Sequence, residues 1–228
     1  MFDIRPLGPA DLGLVLDMQE RISSSLMEKD IFQTSTPEFI SYCLADGGRC
    51  YGVSYGRETV AYRMVYFPRD REFNLSRDTS LPPSEYRHVG HWDTIAVLPE
   101  WRGHGLARLM NARALADLAG TDIRHLFATS SPKNPHGVRS LIEAGFRPVD
   151  LVRKFGGKLR FLFYRPSPGG WAAASGGGTE ASVPLSSTDE LERAFQDGWT
   201  GIRVAHDERG VAHLRMKRQP LPFSDGQP

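Results

Sequence analysis

The stretch "TIAVLPEWRGHGLARLMNARALADLA", residues 94–119, constrains the fold more than any other part of the chain. An apolar run breaks at Pro99 and passes Gly103 and Gly105. It continues with Leu106, Leu109, Met110, Ala114 and Leu118 at helical spacing, which predicts a helix over 103–119. A strand therefore hands over to an amphipathic helix through a glycine-bearing turn. The first amides of a helix have no intrahelical acceptors, and they lie at the positive end of its dipole. Glycine lets a ligand approach that bare backbone closely. The pattern Arg102-x-x-Gly105-x-Ala107 is thus either a plain turn or a cradle for a phosphate, and by itself it does not separate the two.

Around this junction the elements alternate. "FDIRPL" reads as a strand, and "GPADLGLVLDMQERISSSLME" as a helix with Leu12, Val15, Leu16 and Met18 on one face. "TPEFISYCLAD" is a second helix, with Thr36 as cap, Pro37 at the first helical position and Gly47 as stop. "RCYGVSYGRETVAYRMVYF" predicts two strands around the turn "YGRE". The polar segment from Pro68 to His88 reads as a long loop, and "VGHWDTIAV" as one continuous strand. After the junction helix come a strand "IRHLFATS", a short helix "NPHGVRSLIEAG" and two strands, "FRPVDLV" and "GKLRFLFYRP". The order is βααβββαβαββ, a mixed α/β chain.

Composition changes at Pro166. "PSPGGWAAASGGGTEASVP" is rich in Gly, Ala, Ser and Pro and predicts a flexible linker. The expected organisation is a main domain over 1–165, a linker over 166–186 and a helix-hairpin extension over 187–228. The extension's hairpin turns at Glu208 to Gly210. Trp171 and Trp199 offer anchors for packing on the main domain or on a second copy, so a homodimer is compatible with the chain.

The formal net charge is +1, with no basic stripe, which argues against nucleic acid as a partner. Cys43 and Cys50 have no Cys or His cluster beside them and read as reduced thiols, so no metal is expected. The start "MFDIRPLGPADLG" lacks the pattern of a secretion signal, and no apolar run is long enough to cross a bilayer. The expectation is a cytoplasmic protein that does not engage a membrane.

Two separated motifs, "VLPEWRGHGLA" and "SPKNPHGVRSLIEAGFRP", together resemble the GNAT superfamily of acyl-CoA N-acyltransferases, in the family's order and spacing. The likeness covers residues 1 to about 165. It implies the GNAT fold: a central, mostly antiparallel mixed sheet with splayed strands, flanked by helices, here with a small C-terminal α-β-β appendage. It implies an N-acetyltransferase that takes acetyl-CoA as cosubstrate, without a metal, and moves the acetyl group to a primary amine by direct attack in a ternary complex.

The resemblance also assigns residues. The pyrophosphate would sit on the turn Arg102, Gly103, His104, Gly105, Leu106, Ala107 and Arg108, through backbone amides. The side chain of His104 is either incidental or solvated. The pantetheine arm would pair with the backbone of Ile95 and Val97, with Ala96 between them, and a Val97 amide would steady the thioester oxyanion. Asn134 is either a cofactor contact or a helix N-cap. Strand alternation would put His91, Asp93, Ile95 and Val97 on one face. His91 is the natural base, with Asp93 as base, as orienter of His91 or as binder of the amine; both could equally pair with neighbouring polar groups.

One position departs from the family pattern. Leu141 stands where relatives often carry a Tyr that protonates the departing thiolate. This leaves open a second reading, a non-catalytic acyl-CoA sensor or interaction module. The loop Pro68–His88 is expected to overhang the acceptor with Arg69, Asp70, Arg71, Glu72, Arg77 and Asp78. The acceptor itself is read, by a slight lean, as a small molecule.

Overall fold

The computed structural model describes residues 1–171, 179–219 and 221–223. The strands and helices run β1 (Phe2–Leu7), α1 (Leu12–Ser25), α2 (Pro37–Leu44), β2 (Gly48–Tyr55), β3 (Glu58–Tyr66), β4 (Val89–His91), β5 (Ile95–Val97), α3 (Leu106–Leu118), β6 (His125–Ser130), α4 (Pro135–Glu143), β7 (Arg147–Lys154), β8 (Lys158–Pro166), β9 (Glu180–Pro184), α5 (Thr188–Gln196), β10 (Trp199–His206) and β11 (Ala212–Arg218). Local chemistry explains several boundaries. Thr36 caps α2 through a bond from the Phe39 amide to Oγ1, and Pro37 starts the helix where a missing N–H costs nothing. The turn between β2 and β3 closes over Gly56 and Arg57, with Gly56 at φ +61°.

Strands β1–β8 form one eight-stranded sheet in the order β1-β2-β3-β4-β6-β8-β7, with β5 also paired to β3. Every pairing in it is antiparallel except β4 with β6. This is the mixed sheet that the resemblance leads one to expect. Helices α1 and α2 cover one face, where Val15, Met18, Ile22 and Ile40 pack on Tyr62, Met64 and Tyr66. Helix α3 covers the other, with Leu106 and Met110 against Val53, Val60 and Ala61. Of the helix stripe read from the sequence, Leu106, Met110, Ala114 and Leu118 are buried but Leu109 is 40% exposed. The helix begins at Leu106 rather than 103, because Gly103 and Gly105 hold left-handed backbone, at φ +83° and +74°.

The C-terminal region holds the helix and hairpin read from the sequence, as α5 and β10–β11, and one strand more. Residues 180–184, inside the segment read as linker, form β9, which joins the hairpin in a three-stranded antiparallel sheet in the order β10-β11-β9. Residues 172–178 of that linker and 220 and 224–228 of the extension lie outside the described residues. Val183, Leu191, Phe195, Leu214 and Met216 are buried in one cluster with Val138, Phe161 and Phe163 of the main domain. Each such side chain contributes about 1.5–3 kcal/mol when fully buried. Strand β10 lies so close to β7 that a Cβ on Gly201 would collide with Pro148 Cγ. Trp171 donates from Nε1 to the Tyr164 carbonyl at 3.0 Å, and Trp199 packs on the shared core. Both anchors are therefore spent within the chain.

Candidate functional site

The site begins where the strand expected over 89–97 breaks. Trp92 N–H donates to the Phe127 carbonyl at 2.6 Å, the last bond that joins this strand to β6. Two residues later the Thr94 carbonyl accepts from Met64 N–H at 2.8 Å, and from there the strand pairs with β3 alone. Beyond Phe127, residues 128–130 pair only with β8. The two strands thus diverge, and a cleft opens between the inner edge of β5 and the inner edge of β6.

Which backbone groups face that cleft follows from the ladder. Leu98 N–H bonds the Val60 carbonyl and Thr94 is bonded to Met64, so Thr94, Ala96 and Leu98 direct their main-chain groups to β3. Ile95 and Val97 present theirs to the cleft. Of the three residues assigned to this edge, Ala96 is therefore spent on β3. The Val97 carbonyl already accepts from Arg102 Nε at 3.3 Å.

The junction turn stands at the end of β5. A 3-10 turn over Pro99–Trp101 leads to Arg102, and Gly105 is the N-cap of α3 with no side-chain cap and no acidic residue in the first turn. The first bond of the helix runs from Leu109 N–H to the Gly105 carbonyl at 3.0 Å, so the amides of Leu106, Ala107 and Arg108 have no acceptor in the helix. Nothing lies within 4 Å of the Cβ that either Gly103 or Gly105 lacks. His104 turns its Nδ1 back to the carbonyls of Trp101 and Arg102, each at 3.1 Å, so its side chain braces the turn. Asn134 caps α4, with Oδ1 accepting from Gly137 N–H at 2.9 Å. It also lines the cavity described next. These residues suit an acidic ligand held by backbone amides.

A cavity of about 570 Å³ occupies the cleft and passes through the sheet. Its roof is the segment 31–36 between α1 and α2, pinned by Gln19, which donates to the Ser35 carbonyl at 3.0 Å and accepts from Ser35 N–H at 2.7 Å. The long loop 68–88 reaches it through Phe73 and Leu75 rather than through its charges. Arg71 lies over the Tyr42 ring, Arg77 over the Tyr86 ring, and Asp78 is paired with Lys154 at 2.5 Å. The loop is also less irregular than expected, with 3-10 turns over Leu75–Asp78 and Pro83–His88.

The break changes the faces. His91 packs edge-on to the Tyr66 ring on the α1/α2 side, whereas Ile95 and Val97 pack with Leu106 and Met110 on the α3 side. The two-residue alternation expected from His91 to Val97 does not continue through residues 92–94. His91 is buried, and its Nε2 accepts from the Leu75 amide at 3.0 Å. Burial, with the nearby Lys154 charge, pushes its pKa down to about 3. Its basic nitrogen is occupied and weak, so it is a poor base. Asp93 lines the cavity, and burial raises its pKa, opposed by bonds from Thr94 and by the Arg63 charge. Leu141 lies on the cavity wall, where it brings no proton.

Sequence reasoning passed over the residues beneath this cavity. Trp92 donates from Nε1 to Asn111 Oδ1 at 3.2 Å and packs on the Phe146 ring. The Arg63 guanidinium stacks over Trp92 at 4.0 Å, fully buried. A single Arg inside the apolar run "TVAYRMVYF" was the available signal. Burial pushes its pKa down to about 9, with Asp93 opposing, and it remains charged at neutral pH. Cys43 and Cys50 are free and buried; burial raises both thiols, Cys50 to about 12. Among the described residues, no group of His, Cys, Asp and Glu is placed to hold a metal, and no helix is long and apolar enough to cross a membrane.

Comparison with known proteins sets this geometry in a family. No curated protein matches the chain significantly. Among solved structures, NAA60 of Arabidopsis thaliana in complex with acetyl-CoA is similar at a TM-score of 0.58 and 17% identity, over 74% of this chain and 100% of that one. The ribosomal-protein-S18-alanine N-acetyltransferase of Escherichia coli is similar at 0.56 and 13%, over 78% and 99%. The aminoglycoside acetyltransferase AAC(6')-Ib, in complex with coenzyme A and kanamycin, is similar at 0.52 and 15%, over 73% and 95%. At these identities the likeness establishes the fold. A profile of the acetyltransferase (GNAT) family matches residues 17–146, more than half of the chain, and the chain belongs to that family.

Proposed function

We propose that the protein transfers an acetyl group from acetyl-CoA to the primary amine of a small molecule by direct attack. The observation that carries this reading is the open main-chain edge of Ile95 and Val97, which runs into the unpaired amides of the α3 N-terminus. The amides of residues 103–108 would hold the pyrophosphate, with no side-chain charge needed. Ile95 and Val97 would pair with the pantetheine arm as an added strand. Asn134, besides capping α4, has its side-chain NH2 available to that arm. The solved relatives bound to acetyl-CoA or coenzyme A support this ligand.

In the reaction the amine nitrogen bonds to the thioester carbonyl carbon, and the C–S bond breaks with its electron pair on sulfur. The Val97 amide, directed into the cleft, would meet the charge that develops on the carbonyl oxygen. Asp93 takes the proton of the attacking ammonium, since only the neutral amine is a nucleophile and His91 is committed to Leu75. With Leu141 at the wall, the departing thiolate is protonated by water. Neither cysteine takes part. The cavity of about 570 Å³ beneath the 31–36 roof favours a small acceptor over a folded protein surface.

Calorimetry with acetyl-CoA, followed by thiol release across a panel of amines, tests the reading. Binding with release is the expected result. Absence of heat with acetyl-CoA overturns it. Binding with silence across every amine would instead favour an acyl-CoA sensor, the reading that Leu141 keeps alive.

A further inference from the structure

Arg63 is a buried cation without a hydrogen-bond acceptor among the described residues. Its residue is 0% exposed, and none of its three nitrogens finds a hydrogen-bond acceptor among the described residues. Interior guanidinium groups are ordinarily paired, and an unmet buried donor is destabilising, more so when charged. The other cations that line the cavity are satisfied. Lys154 is paired with Asp78, and Arg160 donates to the carbonyls of Asp30 and Leu159. The Trp92 ring holds the Arg63 guanidinium from one face and offers no acceptor for its N–H groups.

Two further features of the same cavity point to a polar ligand. Tyr66 lines the space, and its hydroxyl is also buried without a hydrogen-bond partner among the described residues. Asp93, the single carboxylate among the described residues of the cavity wall, acts on Arg63 through its charge but makes no hydrogen bond to it. One anionic and one unsatisfied cationic group thus belong to a chamber whose walls otherwise mix aromatic side chains, among them Phe39, Phe73 and Phe127, with hydroxyl and amide groups. A simple amine would satisfy Asp93 and leave Arg63 unmet. A molecule with an ammonium at one end and a carboxylate a short distance away satisfies both.

We infer that the acceptor is an amino acid with an apolar or aromatic side chain, whose carboxylate pairs with the guanidinium of Arg63 while its amine meets Asp93. This rests on the acetyl-transfer reading and specifies its acceptor. Arg63 is then a specificity-determining residue: it places the amine beside the base and selects for a negative group. The planar fork of arginine suits a carboxylate in two-point contact, which a lysine would not reproduce.

The experiment compares CoA release from acetyl-CoA with five matched acceptor sets. These are phenylalanine, tyrosine, tryptophan, leucine and methionine, each beside its amide and its decarboxylated amine. For at least one set the free amino acid is expected to exceed its two neutral-ended partners by tenfold or more in kcat/KM, chiefly through KM. Arg63→Gln should abolish that preference, and Arg63→Lys, which keeps the charge and guards against misfolding, should retain part of it. Equal or better use of the amides and amines by the wild-type enzyme overturns the inference while leaving acetyl transfer intact. Silence with every carboxylate-bearing acceptor also overturns it. A parallel arm with succinyl-CoA locates the carboxylate: a rate gain that depends on Arg63 and appears only with that donor would assign it to the acyl chain and overturn the acceptor assignment. Failure of acetyl-CoA to bind in calorimetry would remove the underlying function itself.

Discussion

The backbone N–H of Leu75 donates to Nε2 of His91 across 3.0 Å of buried space. A residue of the long loop thereby holds a strand residue at the mouth of the cleft, and the histidine contributes as a neutral acceptor. The pH dependence of folding follows. The folded imidazole titrates at about 3 and the unfolded one near 6.5. Between those values the unfolded chain binds a proton that the folded chain refuses. Stability therefore falls as pH drops from 6.5 towards 3, and this contribution is flat above 6.5. By pH 5 the loss from His91 amounts to about 2 kcal/mol at ~1.4 kcal/mol per unit. His91→Gln, which keeps an acceptor for Leu75, should lose less stability between pH 7 and pH 5 in urea denaturation. Identical losses in both proteins would refute the assignment.

Asp93 carries the opposite expectation, in activity. Its carboxyl is raised by burial and acts as base only when ionised. Activity should hold above the raised value and decline as pH falls through it, on a limb that lies above the ordinary carboxylate range. Asp93→Asn should lower kcat by roughly 10²–10⁴-fold and abolish that limb, with acetyl-CoA affinity unchanged. Full activity in the asparagine variant at neutral pH would exclude the carboxylate as base.

Gly105 tests the turn. Its φ of +74° disfavours any side chain, by about 1–2 kcal/mol, although the space around it is open. Gly105→Ala should relieve that strain by tilting the first amides of α3. The expected result is a severalfold weaker affinity for acetyl-CoA by calorimetry, with a modest loss in urea midpoint. An unchanged affinity would show that those amides do not hold the cofactor.

Phe195 tests whether the C-terminal sheet belongs to the domain. Its ring meets Phe161 of β8 edge-on at 6.1 Å and is 7% exposed. Phe195→Ala should destabilise the whole chain by about 3–5 kcal/mol in one cooperative transition. A separate early transition, with the remainder as stable as before, would mean that the extension folds alone.

Much of the main domain is legible along the chain, because its cues are local. Thr36 and Pro37 start a helix wherever they fall, Gly56 permits a tight turn, and Gly103 with Gly105 marks the entry to α3. Strand β9 escaped notice because a short edge strand in a Gly- and Ser-rich segment owes its order to pairing with β11, not to its own composition. The expected single face from His91 to Val97 failed for a related reason. Alternation holds only while a strand keeps its register, and this one stays on β3 but loses β6 and slips by one residue across 92–94.

What the sequence determined by itself was the family pattern: the order of elements, the glycine turn before α3 and the apolar stripes that cover the sheet. These depend on spacing and on backbone preference, which are properties of neighbours in the chain. The tertiary structure alone decided which groups could act. It engaged the lone pair of His91 with an amide sixteen residues earlier, and it drew the charged loop away from the cavity. It also buried Arg63 over Trp92 with no hydrogen-bond acceptor among the described residues. Proton affinity and unmet hydrogen bonds depend on which distant segments exclude water from a group, and no local pattern records that.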